Sequence, residues 1–178
     1  MKNINIANSI TFFRILSAPI ILWLILEDKI EIAFWIFILA SFSDLVDGYI
    51  ARKLNLVTNF GKILDPISDK VLIFSVFLSL SYKNILATPI IIIIILRDFV
   101  ILIGAALSLL FKKKITYTPL KIGKITFFFQ SFYAGLLMYH YTGSYNLELV
   151  IKYFGLFVIY ITLISGILYV IRWIKEVL

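Results

Sequence analysis

The chain has 178 residues, of which 62% are hydrophobic and 15% charged, with no cysteine and a formal net charge of +7. Soluble domains carry about 25% charged residues, so a water-soluble fold of this length cannot hide so much apolar surface. The lack of cysteine excludes a disulfide framework, a thiolate metal site and a cysteine nucleophile, and the length suits a single domain, residues 1–178.

In chain order, residues 1–8 are polar and mildly amphipathic and are expected to lie at a membrane interface. Six apolar runs follow, at residues 9–26, 30–50, 63–81, 88–111, 122–141 and 147–171. Each approaches the roughly 20 residues a spanning helix needs. The predicted fold is therefore an all-α integral membrane protein of six transmembrane helices with a short N-terminal interfacial segment. Pro19 should kink the first span. Pro66 fits the first turn of the third, and Thr88-Pro89 the start of the fourth. A cleavable signal peptide is the rival reading of the first run, but the run continues past any small-residue cleavage site and only Lys2 supplies a basic n-region. No linker, low-complexity tract or solenoid repeat interrupts the pattern.

Basic residues predict the orientation. One set of ends and loops holds Lys2, Arg52, Lys53, Lys62, Lys112, Lys113, Lys114, Lys121, Lys124, Arg172 and Lys175. The other holds Lys29, Lys83 and Lys152, beside Glu27, Asp28, Glu31 and Glu148. Six spans then place both termini in the cytoplasm. The Lys112–Lys114 run suits anionic lipid head groups, and the membrane context argues against nucleic acid. With no Arg- and Ser-rich leader, a bacterial plasma (inner) membrane is the expected location.

Residues 44–69 stand out. They read D-x2-D-G-x2-A-R-x8-G-x3-D-x3-D, where lipid-soluble residues would be expected. An Asp at the bilayer centre costs roughly 2.5–3.5 kcal/mol, so intramembrane carboxylates are functional candidates. Asp44 and Asp47 are spaced i, i+3 and Asp65 and Asp69 i, i+4, so each pair shares a helix face. A short cytoplasmic connection sets the two helices side by side, and the two pairs can face one volume. Four like charges there repel unless divalent cations are bound. Oxygen-only ligands suit Mg²⁺, Mn²⁺ or Ca²⁺ rather than zinc. Mg²⁺ typically shares carboxylates with substrate phosphates, so a phosphate-bearing substrate is implied. Gly48 and Gly61 allow close approach to the backbone, and Arg52 and Lys62 offer cations to an anionic substrate. A divalent-cation transporter is the reading from another class. Transporters usually bind at the midplane within internal repeats, whereas these acids gather at one side and no repeat is visible. An inactive structural subunit is a third reading, against which the complete acidic set argues.

The pattern resembles the signature of the CDP-alcohol phosphatidyltransferases at every fixed position: Asp44, Asp47, Gly48, Ala51, Arg52, Gly61, Asp65 and Asp69. The resemblance extends from N-x-I-T-x-x-R (Asn8 to Arg14) to Gln130. It implies a six-span, usually homodimeric enzyme that transfers a phosphatidyl group from CDP-diacylglycerol to an alcohol, releases CMP and works at the cytoplasmic side. By position, Asp44, Asp47 and Asp65 would hold two divalent ions, Mg²⁺ or Mn²⁺. Asp69 would close the cluster and act as general base. Gly48, Ala51 and Arg52 would line the cytidine diphosphate site.

The stretch LVTNFGKILDPISDK (Leu56 to Lys70) resembles the branch with glycerol-based acceptors. Enzymes of that branch that use glycerol 3-phosphate typically show Arg-Glu at the fourth span, a second Arg eight residues on, and G-K-x-K-T at the fifth. This chain has Arg97-Asp98, Ala105, and Gly123-Lys124-Ile125-Thr126. Two expected cations are missing, and Arg97-Asp98 resembles the CMP-forming cardiolipin synthases, so phosphatidylglycerol is the favoured acceptor. Thr58 and Lys62 point the other way, toward glycerol 3-phosphate. Arg97 and Lys124 are the candidate contacts to the acceptor's phosphate. The bland alternative is that Arg97 and Asp98 only lock helix packing.

Overall fold

A computed structural model of the chain describes the backbone of residues 6–53, 59–110, 120–143 and 146–177, and the side chains of residues 13–43, 67–104, 120–143 and 146–175. The described residues form six helices and no strand: α1 (Ile6–Leu26), α2 (Ile30–Lys53), α3 (Asn59–Tyr82), α4 (Thr88–Leu110), α5 (Lys121–Tyr141) and α6 (Glu148–Val177). Each overlaps one predicted apolar run. Four boundaries differ by about three residues or more, among them the end of α6, which runs on to Val177. Helix α1 begins at Ile6, so residues 6–8 of the predicted interfacial segment are already helical, and residues 1–5 fall outside the description. Helix α2 continues to Lys53. Helix α3 begins at Asn59, which puts Pro66 beyond the first turn. Pro19 lies inside α1, which runs on to Leu26.

Two helices end in the same hydrogen-bonded motif. After α1, the Lys29 N–H donates to Leu24 O at 2.9 Å and the Asp28 N–H to Ile25 O at 3.2 Å. After α3, Ile85 donates to Leu80 O at 2.9 Å and Asn84 to Ser81 O at 3.0 Å. These paired bonds satisfy carbonyls left open at a helix end, and they require a left-handed residue between helix and loop. Asp28 (φ 61°) and Asn84 (φ 58°) supply it. Their short polar side chains tolerate that conformation better than other non-glycine residues.

The chain divides into two compact units. The first comprises Met1–Ile85 and Ala134–Asn146. In it α1 packs against both α2 and α3. Helices α1 and α3 run parallel with a constant register: Arg14 meets Asp69 and Asp28 meets Lys83, both pairs 55 residues apart. Helix α2 lies antiparallel to the end of α5, with the Phe34 and Tyr139 rings 5.6 Å apart and Phe37 against Gly135. Small residues (Ala18, Ala33, Ala40, Ala134) alternate with Ile21, Phe37, Phe77 and Leu137 in its core.

The second unit comprises Leu86–Tyr133 and Leu147–Leu178. Helices α4 and α6 pack together in parallel, Arg97 meeting Ser165 and Gly104 meeting Trp173. Helix α5 runs antiparallel to α6, through Leu120 to Tyr169, Gln130 to Thr162 and an edge-on Phe129–Phe157 pair at 4.9 Å. The Tyr133 hydroxyl fills the space a Gly155 side chain would need, since a Cβ there would stand 2.6 Å from it.

Both units bury polar side chains within an apolar core and carry apolar stripes outside. Arg14, Ser68, Ser75, Ser79, Arg97, Thr126, Gln130, Thr162 and Ser165 are buried. Several of the hydroxyls bond back to a carbonyl of their own helix, as Ser75 does to Val71 and Ser79 to Ser75. Phe13, Leu16, Ile20 and Trp23 follow helical spacing down α1 and are 47–54% exposed. Leu149, Tyr153, Leu156, Tyr160, Leu163 and Ile167 do the same on α6. Continuous apolar stripes of this kind are rare on water-facing proteins and suit a lipid environment. Among the described residues one stretch, Glu148–Lys175, is long and apolar enough to cross a membrane, with mean hydropathy 2.4. Phe13–Leu26 and Ile30–Ser43 are shorter apolar stretches.

Candidate active site

Asp44 and Asp47 lie near the C-terminal end of α2, and Asp65 and Asp69 near the N-terminal end of α3. The helical spacing that puts each pair on one face is therefore present in the backbone. Gly48, Ala51 and Arg52 also fall on α2, and Gly61 and Lys62 on α3. The side chains of all of these except Asp69 lie outside the described residues, as does Thr58 altogether. Whether the two pairs face one volume is therefore outside the description too. Among the described residues no group of three or more His, Asp or Glu side chains gathers.

Asp69 is described, and its surroundings carry the most chemical information in the first unit. Its carboxylate is 24% exposed and accepts a hydrogen bond from Arg14 Nη1 at 2.5 Å. The same Nη1 donates to Ser68 Oγ at 3.1 Å. Arg14 is 1% exposed, among the most deeply buried large side chains described. The parallel register of α1 and α3 makes this contact, bringing the arginine of the N-x-I-T-x-x-R segment onto the last aspartate of the signature. Reasoning from spacing did not foresee this pair. The signal available was a cation inside an apolar run, which calls for a buried partner.

In the second unit Arg97 is 8% exposed and held on three sides. Nη1 donates to Asp98 Oδ1 at 2.7 Å and Nη2 to Ser165 Oγ at 2.8 Å. The guanidinium carbon lies 5.6 Å from the centre of the Tyr169 ring, within cation–π range. The buried Nε finds no hydrogen-bond partner among the described residues. Arg97 thus ties α4 to α6 through Ser165, and a donor is left over. The Tyr169 hydroxyl accepts the N–H of Leu120 at 3.1 Å, immediately before α5. Lys124 sits exposed in the first turns of that helix. His140 lies edge-on to Tyr141 at the far end of α5.

Residues 4–173 match the family described as CDP-alcohol phosphatidyltransferase. The CDP-diacylglycerol–glycerol-3-phosphate 3-phosphatidyltransferase of Rickettsia typhi is 34% identical over 143 residues, 79% of each chain. The protein of the same name from Rickettsia bellii is 34% identical over 167 residues, 91% of each. A CMP-forming cardiolipin synthase of Rattus norvegicus is 43% identical over 101 residues, 56% of this chain and 33% of that one. The expected signature and the helical frame that carries it agree with this match across nearly the whole length. The chain belongs to the CDP-alcohol phosphatidyltransferase family, in its glycerol-acceptor branch, and is an enzyme of phosphatidyl transfer.

Proposed function

We propose that the acceptor is glycerol 3-phosphate, so that the enzyme forms phosphatidylglycerophosphate and CMP from CDP-diacylglycerol. The observation that carries this reading is the reach of the similarity. The rickettsial glycerol-3-phosphate enzymes match over 79–91% of both chains, whereas the cardiolipin synthase matches over 56% of this one. This reverses the preference for phosphatidylglycerol drawn from Arg97-Asp98 and the two missing cations. Arg97 fits a phosphate-bearing acceptor of either kind. A buried guanidinium with an unmet Nε–H lacks one hydrogen-bond acceptor, and a phosphate oxygen is the natural complement. Phosphatidylglycerol, with a phosphodiester in place of the terminal phosphate, is the second reading.

The family is divalent-metal dependent. The residues fit such ions: Asp44, Asp47, Asp65 and Asp69 are hard oxygen donors on two helices, and the chain has no thiolate. In this proposal they hold two cations, Mg²⁺ or Mn²⁺, which would neutralise charge on the diphosphate and on the departing CMP. Gly48, Ala51 and Arg52 line the cytidine diphosphate side, with Thr58, Gly61 and Lys62 beside it. Arg97 and Lys124 meet the acceptor's phosphate. Asp69 takes the proton from the acceptor hydroxyl as its oxygen bonds to the phosphatidyl phosphorus and the bond to CMP breaks. Arg14 fixes the orientation of that carboxylate. The proposal includes one domain of six spans in a plasma membrane, termini and site on the cytoplasmic side, working as a homodimer. The buried arginines and hydroxyls and the apolar outer stripes support the spans.

Purified enzyme given labelled CDP-diacylglycerol and Mg²⁺ or Mn²⁺ should release CMP with glycerol 3-phosphate, and chelation should abolish the release. Turnover with phosphatidylglycerol alone would establish the second reading. Turnover with neither acceptor would remove both.

A further inference from the structure

We propose that Ser165 and Tyr169 of α6 are positioning residues for the acceptor's phosphate, Ser165 acting through Arg97 and Tyr169 through both Arg97 and the start of α5 that carries Lys124. The inference rests on the reading that Arg97 and Lys124 meet that phosphate. An arginine side chain has several freely rotating bonds, and ordering it for a ligand costs about 0.5–1.5 kcal/mol if it is mobile beforehand. Here it is held in place by its contacts. Ser165 holds Nη2 at 2.8 Å, and the Tyr169 ring lies against the guanidinium. Gly166, on the same helix, lets the stem of Arg97 pass, since a Cβ there would lie 3.5 Å from Arg97 Cγ. The guanidinium is thereby aligned by α6 before any ligand arrives.

Tyr169 also reaches a second element. Its hydroxyl accepts the Leu120 N–H at 3.1 Å and so anchors the start of α5, the helix that carries Lys124. Gly123 makes this possible. A Cβ at that position would stand 2.6 Å from the Tyr169 hydroxyl and 3.2 Å from Arg97 Nη2. One tyrosine therefore sets the guanidinium and the first turn of α5 at a fixed spacing. The glycine of G-K-x-T is the residue whose missing side chain lets the three groups converge.

The test uses full-length enzyme with CDP-diacylglycerol, varying glycerol 3-phosphate. Tyr169→Phe keeps the ring and removes the hydroxyl; Ser165→Ala removes the Nη2 partner. Each should raise KM for glycerol 3-phosphate about tenfold, the scale of one hydrogen bond to a charged or fixed group. KM for CDP-diacylglycerol and the unfolding temperature should stay near wild type. Ser165→Ala placed on Arg97→Gln should add nothing further, since Ser165 acts through Arg97. A parallel rise of both KM values with a lowered unfolding temperature would show a merely structural role and overturn the proposal. If Arg97→Gln raises the acceptor KM and neither α6 variant does, positioning by α6 is wrong and the role of Arg97 stands. If Arg97→Gln leaves the acceptor KM unchanged, both fall together.

Discussion

Arg14 joins two requirements in one side chain. It is a cation buried to 1% exposure inside an apolar helix, so it needs an anion, and it meets Asp69, the carboxylate assigned to proton abstraction. Replacing Asp69 by Asn removes the base while keeping the shape, and should lower kcat by about 10²–10⁴-fold. An Asp69→Asn enzyme with wild-type CMP release would end that assignment. Arg14→Gln should lower both activity and stability, since breaking a buried pair leaves a charge without its counter-ion, at a cost of about 3–5 kcal/mol where burial is complete. Asp69 is partly exposed, so the loss should fall below that range. The sign of the interaction can be read from the double variant. Arg14→Gln with Asp69→Asn should unfold at a higher temperature than Arg14→Gln alone, because the carboxylate that lost its arginine is then uncharged. A double variant less stable than the single would mean that Arg14 is held by packing and not by its charge partner.

At the scale of elements, the helix ends repeat one device. Asn84 stands in the left-handed region at the end of α3, where its N–H and that of Ile85 close the last turn. Asn84→Val should cost about 1–2 kcal/mol, because a β-branched side chain clashes in that conformation. Asn84→Gly should be neutral or slightly stabilising. Thermal unfolding in detergent distinguishes the two, and equal losses would show that backbone conformation is not what Asn84 supplies. The six helices were legible in the sequence because each is an apolar run of nearly membrane length. Their starts were less so. The polar Asn59, Gly61 and Lys62 read as loop, yet α3 begins at Asn59, so Pro66 comes later in the helix than expected. The acidic signature and Arg97 were legible as ionisable residues in apolar surroundings. The partners Arg14, Ser165 and Tyr169 were not. Each meets its partner across tens of residues of intervening chain, through registers of 55, 68 and 49 residues that only helix packing determines. Nothing in local spacing encodes such offsets.

For the molecule as a whole, the distribution of polarity argues for lipid as solvent. Beside its apolar core its buried set holds two arginines, several serines and threonines and a glutamine, while Trp35, Leu39 and Phe42 on α2 and Leu96 and Phe99 on α4 are each 59–61% exposed. Hydrocarbon rewards that arrangement, because apolar side chains lose nothing outside and polar ones must find partners inside. The predicted orientation can be tested on this chain without interference, because it contains no cysteine. A single cysteine at Lys29 or Lys83, beside the ends of α1 and α3, should react with a membrane-impermeant maleimide in intact cells. The two positions should behave alike, since Lys83 bonds Asp28 at 2.7 Å and the two ends therefore share one side. A cysteine at Lys113 should react only after permeabilisation, because positive charge concentrates on the cytoplasmic side. Labelling at Lys113 in intact cells would invert the topology. It would also place the Asp44 to Asp69 signature on the face opposite the cytoplasmic nucleotide pool, leaving it without access to CDP-linked substrate from that side.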